Sequence, residues 1–413
     1  MSVSNRDKAH LRKLANRQLE FANLPVMKDR AARWYRHNDF ESFEPTVSFE
    51  FGATLSELVS PLECETDETR HMEMMLKYHT ASEEFSGDDT IVPDFYWVTY
   101  RAGFRPFDIE IVNEHVKDDP GSLGFHTINE VTDLESDWYK LKKSTWRCKK
   151  EESERQAALC HDIFGDILPI EMHYPFFYGS LSRMVLDIMG MENMMTAMYD
   201  YPELFKEMMD RAATDFLEYT KWSEDSGLLT RNDGNCRLLQ GTYGFTHKLG
   251  NDDRVGPVKL KNIWGYLDSQ ETVGLSPDMF YEFFLPYYKR IADPFGQVSY
   301  GCCEPVDLYW DGLSGISNMK KVSISPWCNE EQMGEQLRGR QIVYLRKPMP
   351  NYIGLNSPLD EAEFEKHIRK TCEAASGCHL EVAFRDVYTL GGYLDKPKKA
   401  VEIVRKCFDK YYK

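Results

Sequence analysis

Apolar and polar positions recur along the chain in two periods, and their alternation divides it into repeated units. Residues 4 to about 40, including "DKAHLRKLANRQLEFANL" and "KDRAARWYRHNDF", place apolar side chains at helical spacing among charges, which predicts an N-terminal helical stretch. "PTVSFEFGA" predicts a first strand ending in a glycine turn, and "DETRHMEMMLKYHTASEEF" a helix capped by Asp67. "TIVPDFYWVTY" and "FDIEIVNEHV" read as strands, and the polar segment 117–135 as a loop. "WYKLKKSTWRCKKEESERQAALCHDIFG" predicts one long charged helix, and "DILPIEMHYP" a short strand. Residues 182–227 predict two helical pieces. Their methionine stripe (Met184, Met189, Met191, Met194, Met195, Met198) reads as helix core rather than a binding surface.

The later half alternates more regularly. Strands "QVSYGCC", "KKVSISPW", "QIVYLRKP" and "HLEVAFRDV" are separated by helical segments, and "KPKKAVEIVRKCFDKYY" predicts a last helix. Repeated strand–helix units of this length imply a parallel sheet. The expected class is therefore α/β, with a (β/α)8 TIM barrel over residues 45–413 behind a helical extension over 1–44. A doubly wound open sheet is the alternative, but no GxGxxG follows an early strand.

Composition narrows the function classes. The 413 residues are 42% hydrophobic, enough for a large core. A net charge of −17 argues against a general attraction to nucleic acid or anionic lipid. No apolar run is long enough to predict a membrane span, and the charged N-terminal segment does not read as a secretory signal. Ten cysteines in such a chain are expected to be reduced thiols in the cytoplasm.

If the chain is a barrel, chemistry belongs at the C-terminal ends of its strands. That rule selects Glu171 and His173, then Ser269, Gln270 and Glu271, then the "YGCCEP" turn with Cys302, Cys303 and Glu304. It also selects Trp327 and Cys328, Arg346 and Lys347, and Arg385 and Asp386. Each has a plainer reading. The thiols can be small buried hydrophobes, His173 a hydrogen-bonded rim residue, Glu271 and Asp386 helix caps or ion-pair partners, and Lys347 a solvated lysine. CC is not the CxxC redox spacing, a nucleophilic thiol needs a base such as His173, and catalytic zinc needs three protein ligands.

"GMENMMTAMYDYPELFKEMM", "NIWGYLDSQETVGLSPDMFYEFFLPYYKRI", "YGCCEPVDLYWDGLSGISNMKKVSISPWCN" and "LEVAFRDVYTL" resemble the uroporphyrinogen decarboxylase-like superfamily, in its corrinoid-dependent methyltransferase branch. The decarboxylase's own Arg-rich "RQAGRY"-like motif has no counterpart. The resemblance implies demethylation of a small O-, N- or S-methyl substrate, a methoxyaromatic above all, with the methyl passed to a corrinoid protein. Among the candidate residues, Glu271, Arg385 and Asp386 are the expected catalytic groups, and Glu171, His173, Tyr243, Gln270, Trp327 and Lys347 the expected substrate contacts. Tyr243, Trp264, Tyr266 and Trp327 are the aromatic side chains expected at the rim. The family's zinc site uses His-x-Cys and a later Cys. Here Cys302 matches the first Cys, Tyr300 stands where the His belongs, and "YTLGGYL" holds no Cys. Zinc on Cys302 and Cys303 would need other ligands, such as Glu271, His173 or Asp386. The expected partners are the methyl donor, the corrinoid protein docking over loops 117–135 and 241–256 and, as an option, a second copy of the chain. The alternative is a metal-independent decarboxylase or lyase acting on a small carboxylate through Arg385, Lys347 and His173.

Overall fold

The computed structural model describes residues 3–115, 124–250 and 256–413. Its centre is a seven-stranded parallel sheet. Running from one edge to the other, the strands are Thr46–Phe49, His379–Phe384, Val343–Arg346, Met319–Ile324, Gln297–Tyr300, Trp264–Leu267 and the two-residue Tyr178–Gly179. Helices such as Glu330–Leu337, Glu361–Ala374 and Lys396–Tyr411 follow successive strands, as the repeated units predict. The ladder ends at Thr46–Phe49 on one side and at Tyr178–Gly179 on the other, so hydrogen bonding among the described residues does not complete an eight-stranded ring.

Both faces of the sheet are buried, which explains the apolar runs in its strands. Tyr300, Val322, Ile324, Tyr344, Val382 and Phe384 belong to the main core under the helices. Their alternates Val343, Leu345 and Ala383 form a separate small cluster on the opposite face. That face also holds a buried ion pair, Lys321 Nζ to Glu381 at 3.0 Å, both side chains fully buried. Burial lowers the Lys321 ammonium pKa, while Glu381 acts to hold its proton.

A hairpin over residues 236–244 lies against this inner face. Arg237 and Tyr243 form its antiparallel bridge, and Leu238 N–H donates to Thr242 O at 2.8 Å. Its tip, Gln240–Gly241, turns through two left-handed residues with φ of 76° and 79°. Lys321 Nζ donates to Thr242 Oγ1 at 2.6 Å, Ser48 Oγ to Gly241 O at 2.9 Å, and Gln240 Nε2 to Tyr266 Oη at 2.7 Å. Strands far apart in the sheet order thus touch one turn, which requires the sheet to curl around it.

The N-terminal helices Asn5–Ala22 and Pro25–Asn38 are bound into this arrangement. Gln18 Nε2 donates to Pro93 O and Phe95 O, Trp34 Nε1 to Asp89 O at 2.8 Å, and Asn38 Nδ2 to Tyr243 O. Trp34 is fully buried, with Lys321 Nζ 5.4 Å from its ring.

Some elements differ from expectation. Tyr96–Thr99 and Ile170–His173 form a separate parallel pair outside the main sheet. "FDIEIVNEHV" yields a 3-10 turn and the short strand Asn113–His115. The long charged helix begins only at Lys150, because Thr145–Cys148, with its β-branched and aromatic start, pairs antiparallel with Ala102–Arg105. Of the loop expected at 117–135, residues 117–123 lie outside the described residues, as do 251–255 of the 241–256 segment. The methionine stripe is split by exposure: Met189, Met194 and Met198 are buried, whereas Met191 is exposed next to a kink at Gly190. Among the described residues, no helix is long and apolar enough to cross a membrane.

Candidate functional site

A cavity of about 1080 Å³ opens at the C-terminal ends of the parallel strands. This is where an α/β sheet leaves its loops free to carry chemistry. Cys302 and Cys303, Trp327, Lys347, and Arg385 with Asp386 line it from four consecutive strand ends, and Gln270 from a fifth. His173, Tyr178 and the hairpin residues Cys236, Arg237 and Gln240 complete the wall.

The thiol turn is built by Gly301 and Glu304. Gly301 ends the strand at φ 97°, a conformation that favours glycine. Glu304 then folds back, fully buried, and accepts N–H bonds from Ser269 at 2.9 Å and Cys302 at 2.8 Å. Burial and the nearby Asp268 push its carboxyl up to about 8, against the pull of those two donors. The Cys302 and Cys303 sulfurs are 3.6 Å apart, and Cys303 Sγ is 4.0 Å from Asp386 Oδ2. A hydrogen bond from Cys302 lowers the Cys303 thiol, with the Lys347 charge acting in the same direction; the Cys302 thiol is raised correspondingly.

Lys347 connects the thiol turn to the hairpin. It is buried and donates to Cys302 O at 2.8 Å and to Gln240 Oε1. From Gln240 the network runs to Tyr266, whose hydroxyl donates to Asp268 Oδ2 at 2.9 Å, and Tyr178 Oη donates to the same oxygen at 3.0 Å. The rings of Tyr178 and Tyr266 stack with centroids 5.4 Å apart. Arg385 lies 3.5 Å from Glu50 and 3.6 Å from Asp386. Two non-glycine residues of the wall, Gln240 and Asp386 (φ 76° and 59°), hold left-handed backbone of the kind that clusters at binding sites.

Not every expected residue meets here. Glu171 is exposed and outside the cavity wall, but its carboxylate is 3.2 Å from His173 Nε2. Glu271 sits in a 3-10 turn and accepts from Ser182 Oγ at 2.8 Å, which turns it beneath helix Leu181–Asp200 and away from the cavity. Burial raises its carboxyl. Tyr243 faces the N-terminal helices, its ring 5.2 Å from Trp34. Trp264 is buried in the sheet interior and donates to Gly244 O. Arg346, one residue before Lys347, points to the opposite face and pairs with Glu330 at 2.8 Å. The hairpin residues Cys236, Arg237 and Gln240 were not anticipated. Their signal was the turn-rich "NDGNCRLLQG", which has no strand period and so gave no rim position.

Two thiolates 3.6 Å apart can share one zinc ion. Among the described residues, however, no group of three His, Cys, Asp or Glu side chains is arranged to hold a metal. Asp386 stands 4.0 Å from Cys303 Sγ, but these side chains are not arranged as the three-ligand set that catalytic zinc requires.

Neither a protein-family model nor a curated protein matches the sequence. Among solved structures, the chain is similar to a methyltransferase from Methanosarcina mazei, with a TM-score of 0.50 and 12% identity over 93% of this chain and 99% of that one. At that identity the likeness is one of fold: a mixed α/β chain around a parallel sheet.

Proposed function

We propose that the chain is a methyltransferase that removes the methyl group of a small O-, N- or S-methyl substrate, preferentially a methoxyaromatic, and delivers it to a corrinoid protein. In this reading the curled sheet is a (β/α)8-type barrel and the cavity its open end. One observation carries the proposal. An aromatic-walled cavity of about 1080 Å³, with Tyr178, Tyr266 and Trp327 around it, has two cations, Lys347 and Arg385, at the strand-end wall. The fold likeness to a methyltransferase supports it.

The chemistry follows from charge. A corrinoid on the partner would supply the methyl acceptor; the departing heteroatom gains electron density as its bond to the methyl breaks. A prepositioned cation is worth most there, in a site that excludes water. Lys347 is held in place by Cys302 O and Gln240, and Arg385 by Glu50 and Asp386. His173, braced by Glu171, is a proton carrier within the same wall. Stacked Tyr178 and Tyr266 offer a face to an aryl ring. No role is assigned to zinc.

The test mixes the purified chain, a reduced corrinoid protein and candidate methoxyaromatics or methylamines, and follows the cobalt absorbance change on methylation. Methylation that requires all three components is the expected result. Substrate conversion by the chain alone, with carbon dioxide released, would replace this reading with a lyase acting on a carboxylate.

A further inference from the structure

The two adjacent thiols are the feature that methyl transfer leaves unused. Their sulfurs are 3.6 Å apart, closer to each other than Cys303 Sγ is to Asp386. Both residues line the cavity, Cys303 being the more exposed of the two. We propose that Cys302 and Cys303 form a peroxide-responsive dithiol that closes reversibly into a disulfide inside the cavity. The inference rests on the geometry of the pair and is independent of the reaction run in the cavity.

The chemistry balances with a peroxide as oxidant. The Cys303 sulfur attacks one peroxide oxygen, the O–O bond breaks, and Cys303 becomes a sulfenic acid while water or an alcohol departs. The Cys302 sulfur then displaces the hydroxyl, the S–S bond forms, and a second water leaves with the Cys302 proton. Two electrons pass from the sulfurs to the peroxide. No backbone rearrangement at long range is needed, because the resolving thiol is the next residue.

Such a bond is built to be temporary. Neighbouring Cα atoms are about 3.8 Å apart, below the roughly 4.4–6.8 Å of ordinary disulfides, so the ring is strained. Strained disulfides are the easily reduced ones, suited to control rather than to structure. The ring would also reach the site directly. Cys302 O accepts from Lys347 Nζ at 2.8 Å and from Ser323 Oγ at 3.0 Å, and Cys302 N–H donates to Glu304. Closing the ring twists the peptide that anchors the cavity's lysine, so oxidation and loss of site geometry are one event.

The remaining eight cysteines set the background. Six are buried and two, Cys148 and Cys236, are half-buried; Cys236 lines the same cavity. The experiment treats the full chain, reduced and washed with a chelator, with graded hydrogen peroxide, then blocks free thiols and weighs its proteolytic peptides. The expected result is a loss of about 2 Da, two hydrogens, in the peptide holding both residues, restored by a dithiol reductant. Cys302→Ser should instead stop at the sulfenic acid on Cys303, and Cys303→Ser should leave that peptide unchanged at the same dose. A trivalent arsenical, phenylarsine oxide, should bind the reduced chain at this peptide and lose that binding in either variant. A bond from either residue to Cys236 would overturn the proposal. So would oxidation of other cysteines while this peptide keeps two free thiols, or arsenical binding that survives both single substitutions.

Discussion

Arg346 and Lys347 are neighbours in sequence with opposite fates, because successive residues of a strand point to opposite faces. Arg346 is buried beneath the helices against Glu330, and its guanidinium also donates to Ser325 O at 2.6 Å. Arg346→Met should therefore cost stability, by roughly 3 kcal/mol, since it leaves Glu330 buried without its cation; chemical denaturation measures it. Lys347→Met removes a cation from the cavity instead. It should lower kcat/KM for the proposed methyl transfer about 100-fold, the usual loss for one prepositioned charge, while the far-ultraviolet circular dichroism stays unchanged. Equal activity in this variant would remove Lys347 from the mechanism. Glu304 gives a pH signature. Its folded carboxyl titrates at about 8 against an ordinary 4.5, so folding takes up a proton between those values. Its contribution to stability is full below about 4.5 and is lost as pH rises toward 8. Denaturant midpoints across that window should fall for the native chain, and Glu304→Gln should flatten the slope. At this scale the sequence was half legible. Period two put Cys302, Lys347 and Asp386 at strand ends, but it carried no information on which way Glu271 turns after its strand. Ser182, 89 positions earlier, settles that by a hydrogen bond.

The elements of the first third are tied together by one buried carboxylate. Glu73, on helix Asp67–Phe85, pairs with Lys77 at 2.7 Å and with His10 of the first helix at 3.1 Å. It also accepts backbone N–H bonds from Glu63 and Cys64. Burial pushes its carboxyl up, but Lys77 and the Cys64, His10 and Glu63 donors outweigh it and bring it down to about 2. A carboxyl lowered from 4.5 stabilises the fold above that pH and loses the contribution as pH falls toward 2. Glu73→Gln should cost roughly 3 kcal/mol at neutral pH, roughly half of that at pH 3 and little at pH 2, read from thermal melts at the three values. Elements built on local pattern were readable in advance: Glu361–Ala374 and Lys396–Tyr411 carry clear helical periods. Pairing was not. Thr145–Cys148 sits beside helix-forming lysines and glutamates, and only its distant partner Ala102–Arg105 makes it a strand.

Across the whole molecule, the N-terminal helices fasten to the loop around residues 89–95 and to the hairpin, rather than standing apart from the sheet. A chain starting at residue 45 would expose the surfaces covered by Trp34 and Gln18, and is expected to be insoluble or unfolded; a cooperative melt of that fragment would contradict this. The strand–helix alternation made the parallel sheet legible, whereas the insertion of residues 236–244 into its inner face was not, since no local period marks a hairpin held by side chains from distant strands. That hairpin has a practical meaning. The cavity wall near Lys347 is formed partly by Leu239 and Gln240 of a loop tip that is fastened at Thr242 to the buried Lys321 and at Gly241 to Ser48. The tip is thus an interchangeable part on a fixed mount. Grafting turns there that vary Leu239 but keep Gln240, which holds Lys347, offers a route to a new substrate range without redesigning a single strand.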